Sequence, residues 1–183
     1  MSRLRRTLAA ALTVLLLSAC ASTDAAAQPP SPPCSEPEYR QMDFWLGTWD
    51  VEWDATPSMP AGRGANVITR ELGLCVIQEA FDGGSASGGM IGRSISVFDQ
   101  HAGLWRQTWV DNLGGYIALA GGQDADGRFV LSVSRLGDRP RDARMVFEDI
   151  AENSLTWRWQ SREEGEEAWE DSWVIRYTRR GSR

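Results

Sequence analysis

Leu155-Thr156-Trp157-Arg158-Trp159-Gln160-Ser161-Arg162 decides the fold. Leu155, Trp157 and Trp159 fall on one side of this stretch, and Thr156, Arg158 and Gln160 on the other. A two-residue period marks a β-strand with one face buried and one face wet. The period returns over residues 169–178, where Trp169, Asp171, Trp173, Ile175 and Tyr177 line up opposite Glu170, Ser172, Val174 and Arg176. It returns over 104–112 as Trp105, Gln107, Trp109 and Asp111, and over 47–54 as Trp49, Val51 and Trp53.

Six further segments read as strands: 65–72, 75–81, 90–98, 116–121, 128–135 and 144–150. Gly, Pro, Asp and Asn clusters punctuate them, including Gly114-Gly115 and Asp124-Ala125-Asp126-Gly127. Asp124–Gly127 superficially resembles a calcium loop but lacks the remaining ligands, so it reads as a hairpin turn. No window of a dozen residues sustains a helical period; the polar stretch 35–42 has room for one helical turn. Ten strands with short connections predict an all-β, antiparallel up-and-down meander. Such a meander loses its exposed edges most simply by closing into a barrel of about 8–10 strands. An open sandwich is the alternative.

The N-terminus carries an address. Arg3, Arg5 and Arg6 precede an apolar run from Leu8 to Leu17, and small residues follow. Residues 1–19 therefore read as a signal peptide, too short for a comfortable membrane span. Leu17-Ser18-Ala19-Cys20 resembles the lipobox of bacterial lipoproteins. That resemblance implies cleavage before Cys20, lipidation of its thiol and anchoring in a membrane without a spanning helix. Ala21 after the cysteine implies the outer membrane, facing the periplasm. Ordinary cleavage after Ala27, leaving a soluble periplasmic protein, is the alternative. Residues 20–33 are rich in Ala, Pro and Ser and read as a flexible tether, so the folded domain spans 34–183.

Charge removes several functions. The whole chain stands at −6; without the three arginines of the signal peptide it stands at −9. So acidic a domain is a poor partner for nucleic acid. Every Lys+Arg residue is Arg, which excludes lysine nucleophiles. With Cys20 lipidated, Cys34 and Cys75 remain as an even pair in an oxidising compartment. We expect a disulfide rather than two buried thiols; closing a loop of about 40 residues contributes on the order of 4 kcal/mol at most. No CxxC and no Cys/His cluster occurs, so no metal site is expected.

Asp43-Phe44-Trp45-Leu46-Gly47-Thr48-Trp49-Asp50-Val51 resembles the DFWxGxWxV opening of a family of uncharacterised exported bacterial proteins. Further matches to that family are Cys34 to Arg40, Gly73 to Glu79, Gly92-Arg93-Ser94, and Trp105 to Asp111. Gly47-Thr48-Trp49 is also similar to the first-strand GxW of the calycin barrels: lipocalins, fatty-acid-binding proteins and nitrobindins. The calycin resemblance implies a barrel with Trp49 plugging one end, and it carries no activity. Nitrobindin-like barrels hold haem through a histidine on a late strand. The one histidine here, His101, falls in the turn 99–103, so haem is not carried over and no cofactor is expected. The same solitary histidine argues against a Ser-His-Asp triad.

The sharpest polar signal lies in the third and fourth strands. Cys75, Ile77, Glu79 and Phe81 share one face; Ile91, Arg93, Ile95 and Val97 share another. A symmetric hairpin loop would set Glu79 opposite Arg93, both inside, with Gln107, Trp109 and Asp111 pointing the same way. In a functional site Arg93 would grip an anionic or carbonyl group, Trp109 would stack, and Glu79 and Asp111 would orient it or exchange protons. The structural alternative is a buried salt bridge that fixes strand register. Most of the nine Trp residues are expected to fill core, with a subset lining a cavity. Three functions stay open: an envelope binding protein for a small apolar or amphipathic molecule, an interaction scaffold with a filled core, and a small enzyme using Glu79, Arg93 and Asp111. No catalytic motif is recognisable.

Overall fold

A computed structural model describes residues 31–134, 141–163 and 165–181. The expected signal peptide, Cys20 and most of the tether lie outside the described residues, as do residues 135–140. Ten antiparallel strands form a closed barrel: β1 (Gly47–Trp53), β2 (Gly62–Glu71), β3 (Val76–Asp82), β4 (Ile91–Asp99), β5 (Leu104–Asp111), β6 (Tyr116–Gln123), β7 (Phe129–Val133), β8 (Arg141–Glu148), β9 (Ser154–Glu163) and β10 (Glu170–Arg179). Each strand pairs with its neighbours in sequence, and β1 closes the ring against β10 through Val51 opposite Tyr177. The ring leaves no unpaired edge to attract another chain.

Every segment expected to be a strand is one, with ends shifted by a few residues. The largest shifts are at the starts of β2, at Gly62 rather than 65, and of β8, at Arg141 rather than 144. The charged start of β8 is held by the long partner β9: Asp142 lies opposite Arg162 and accepts from its guanidinium at 3.2 Å. A second departure is at the start of β10. A bulge between Asp171 and Trp173 absorbs Ser172. One extra residue reverses every side chain before it. Trp173, Ile175 and Tyr177 face inward as expected, but Asp171 turns outward to Arg158 and Gln160. Trp169 likewise does not join the interior row. It lies against Arg144 and Arg162, whose guanidinium carbons are 4.0 and 4.5 Å from its ring centre.

One end of the barrel is plugged. The helical turn expected at 35–42 is two short 3-10 helices, Pro37–Arg40 and Asp43–Trp45. They set Met42 and Trp45 over Trp49, and all three are almost fully buried. The Trp49 indole N–H donates to the Trp45 carbonyl at 2.7 Å. Two arginines tie the plug to the strands. Arg70 from β2 pairs with Asp43 and donates to the Leu74 carbonyl. Arg179 from β10 donates to the Leu46 carbonyl at 2.6 Å while lying 4.1 Å from the Trp49 ring centre. Arg179 also donates to the Phe44 carbonyl at 3.3 Å and so satisfies carbonyls at the end of the second helix. Phe44, packed against the core, and the core rings Trp45, Phe129 and Phe147 meet in edge-to-face or tilted contacts at 5.0–6.4 Å. The Cys34–Cys75 disulfide, with Cα atoms 5.1 Å apart, fastens the chain ahead of the plug to the residue before β3. His101 sits exposed in the β4–β5 turn, where Asp99 accepts from its backbone N–H.

Candidate functional site

Below the plug the interior is not filled. A cavity of about 190 Å³ lies toward the end of the barrel where the β3–β4 and β5–β6 hairpins turn. Four indoles form its walls: Trp109 from β5, Trp157 and Trp159 from β9, and Trp173 from β10. Trp157 and Trp159 are near-parallel at 6.3 Å. Trp173 meets Trp157 edge-on at 5.8 Å and Phe81 at 6.1 Å, and Phe81 meets Trp109 at 6.0 Å. These contacts join the rings into one aromatic arc around the space.

Glu79, from the middle of β3, reaches the same cavity. It is only 6% exposed. Asn66 Nδ2 donates to Glu79 Oε1 at 2.7 Å, and Ser94 Oγ donates to Glu79 Oε2 at 2.6 Å. Asn66 Nδ2 also lies 3.0 Å from the Tyr177 hydroxyl, which accepts from it. Burial pushes the Glu79 carboxyl up to about 7, against the pull of the Ser94 and Asn66 bonds and of the Arg93 charge. Burial also raises Tyr177, helped by the neighbouring Glu79 charge. Glu79 is thus the one residue of the cavity wall whose charge switches near neutrality.

The structure corrects the expected Glu79–Arg93 pair. Glu79 lies opposite Ser94, and Arg93 lies opposite Ala80. The β3–β4 hairpin closes through Gly83 N–H donating to the Met90 carbonyl at 2.9 Å, one residue away from the symmetric register. Arg93 therefore faces the outside with Ile91 and Ile95, which are 45% and 54% exposed, and its guanidinium donates to the carbonyl of Gly92. The inward face of β4 is Gly92, Ser94 and Ser96. Small residues are required there because the large ones come from β5. A Cβ on Gly92 would stand 2.0 Å from the Trp109 ring. Gly92→Ala is accordingly expected to displace that indole and destabilise the fold by about 1–2 kcal/mol. Loss of the Trp109 near-ultraviolet dichroism, with far-ultraviolet dichroism unchanged, is the check.

Gln107, Trp109 and Asp111 point inward, in line with the alternation of β5. Gln107 donates to Ser96 Oγ at 2.9 Å. Asp111 stands at the cavity mouth but is occupied structurally. Its Oδ2 accepts from the Trp109 indole N–H at 2.9 Å, and its Oδ1 accepts from the backbone N–H groups of Leu113 and Gly115 at 2.9 and 2.8 Å. The Trp109 bond and these turn N–H groups hold its carboxyl below the usual range. Asp111 thereby orients Trp109 and fastens the β5–β6 turn. With Arg93 outside, Glu79, Arg93 and Asp111 do not form one acid–base centre.

Asn66, Ser94 and Tyr177 belong to the site without having been picked out from sequence. Among the described residues no group of three or more His, Cys, Asp or Glu is placed to hold a metal ion. No protein-family model matches the chain, and no curated protein shows significant similarity to it.

Proposed function

We propose that this chain is a bacterial cell-envelope lipoprotein, anchored in the outer membrane through Cys20, whose barrel holds a small, largely apolar molecule. The observation that carries the binding role is the indole-walled cavity with one protonatable carboxyl in its wall. A void too large for efficient packing costs stability unless something occupies it. Mostly apolar walls with a few convergent polar groups are the usual design of a ligand site. The volume is slightly above the roughly 150 Å³ of an engineered cavity that takes benzene, and below the roughly 300–1,000 Å³ of pockets for drug-sized ligands. It suits one ring or a short branched chain, not haem or a whole lipid. The signal-like N-terminus and lipobox support export and anchoring, and the disulfide is compatible with an oxidising compartment.

Native mass spectrometry of the protein purified from its own membranes tests this. A retained molecule on the order of 150 Da is expected, scaled from the cavity volume. Recovery of only the bare polypeptide, together with no uptake of any small aromatic compound, contradicts the binding role. Recovery of the intact protein in the soluble periplasmic fraction contradicts the anchor.

A further inference from the structure

Resting on that binding role, we infer that the cavity selects a small organic cation: an ammonium with apolar substituents, its charge placed between the Glu79 carboxylate and the indole faces. About ten non-hydrogen atoms fit, on the scale of the benzene-sized cavity above.

The sign of the ligand follows from what lines the space. Two acidic residues, Glu79 and Asp111, reach the cavity, and among the described residues no basic one does. The guanidinium that would have received an anion, Arg93, is on the outer face. Each Glu79 oxygen accepts one hydrogen bond, and an ionised carboxylate has about four acceptor positions, so half remain open to a donor or a cation. An anion placed here meets like charge at the mouth and in the wall. Above about pH 7 a neutral hydrocarbon leaves the buried Glu79 carboxylate without a counter-charge, which is costly.

The walls suit a cation for a second reason. The face of an indole is electronegative and attracts an ammonium, and several rings around one space form the aromatic cage that recognises quaternary ammonium groups. Trp109, Trp157, Trp159 and Trp173 supply four such rings. This chain already seats its own cations on indoles elsewhere: Arg179 on Trp49, and Arg144 with Arg162 on Trp169. At the cavity, no such contact by an arginine of the described residues is seen. The net charge of −6 draws cations toward the protein as a whole.

Phenyltrimethylammonium and its neutral isostere tert-butylbenzene separate charge from shape, and benzoate supplies the opposite sign. Titrations of the full-length chain, read by tryptophan fluorescence at about pH 8.5 where Glu79 is ionised, are expected to show the cation binding at least tenfold more tightly than tert-butylbenzene. Glu79 alone among the groups facing the cavity changes charge near that range, because Tyr177 titrates far above and Asp111 below. The guanidinium of Arg93, on the outer face of β4, pulls the Glu79 carboxyl down. Glu79→Gln should weaken phenyltrimethylammonium relative to tert-butylbenzene by at least about threefold, the indole faces keeping the remainder of the preference. Trp159→Leu, on the cavity wall, serves if Glu79→Gln does not fold: it should weaken the cation more than the isostere. Equal affinity for the two isosteres, or tightest binding of benzoate, overturns the cation assignment and leaves the ligand-binding role standing. Binding of none of the three overturns both.

Discussion

Trp49→Ala is expected to destabilise the protein by about 4 kcal/mol, the largest loss from any single substitution considered for this barrel. The indole is fully buried at the junction of plug and barrel. Its N–H satisfies the Trp45 carbonyl, its face carries Arg179, and its edge meets Tyr177 at 5.9 Å. Truncation leaves a void in closely packed surroundings, frees a buried carbonyl and removes the platform under a guanidinium. These losses act together because they share one side chain. Urea denaturation followed by circular dichroism gives the value, and a loss below about 1 kcal/mol contradicts the plugged end. Trp169→Ala provides the contrast. That ring lies on the outer side of the β10 bulge against two arginines, so its removal is expected to cost under about 1 kcal/mol.

The second large effect is on pH dependence. The Glu79 carboxyl stands at about 7 in the folded chain against an ordinary value of 4.5. Between these two values the unfolded chain has released its proton and the folded chain still holds it. Stability is therefore fully present below about 4.5 and is lost as pH rises through about 7. Each unit of that interval is worth about 1.4 kcal/mol, so the loss is roughly 3 kcal/mol. The Asp50, Asp54 and Asp99 carboxyls are held below their ordinary value by Arg180, Arg176 and Arg106 respectively, so their contributions change at more acid pH than this interval. Glu79→Gln retains the geometry needed by Asn66 and Ser94, because an amide oxygen accepts from Asn66 and an amide N–H donates to Ser94 Oγ. The variant should lose the decline and exceed the wild type in stability above pH 7. Urea denaturation at about pH 5 and about pH 8 checks this; an equal change in both proteins removes the buried carboxyl from the account.

The fold was legible because its interior is coded by the largest side chains at a strict period of two. Trp49, Val51 and Trp53 on β1, and Trp105 on β5, announce which way their strands face. The inward direction of Glu79 followed from Ile77 and Phe81 on either side of it. β4 broke the rule that the apolar side is the inner side. Its Ile91 and Ile95 face solvent while Gly92, Ser94 and Ser96 face the core, because the rings of β5 fill the room in front of them. A sequence pattern records hydrophobicity, whereas the barrel also selects for volume. Asn66 was missed because a single polar residue between Gly64 and Ile68 looks like any exposed strand position. Placing β2 against Trp49 and Phe81 would have turned it inward. Tyr177 was seen on the inner face, but its hydroxyl acquires a role only through Asn66. The β10 bulge left no mark in the alternation, so Trp169 and Asp171 were carried inward with Trp173.

Cavity, cation and pH response all depend on one desolvated side chain. The most direct measurement is a carbon-13 NMR titration of the Glu79 carboxyl, assigned by comparison with Glu79→Gln. A midpoint near 7 in the free protein, falling when phenyltrimethylammonium is added, is what the account predicts. A midpoint at the ordinary glutamate value of 4.5, unmoved by the cation, would contradict it.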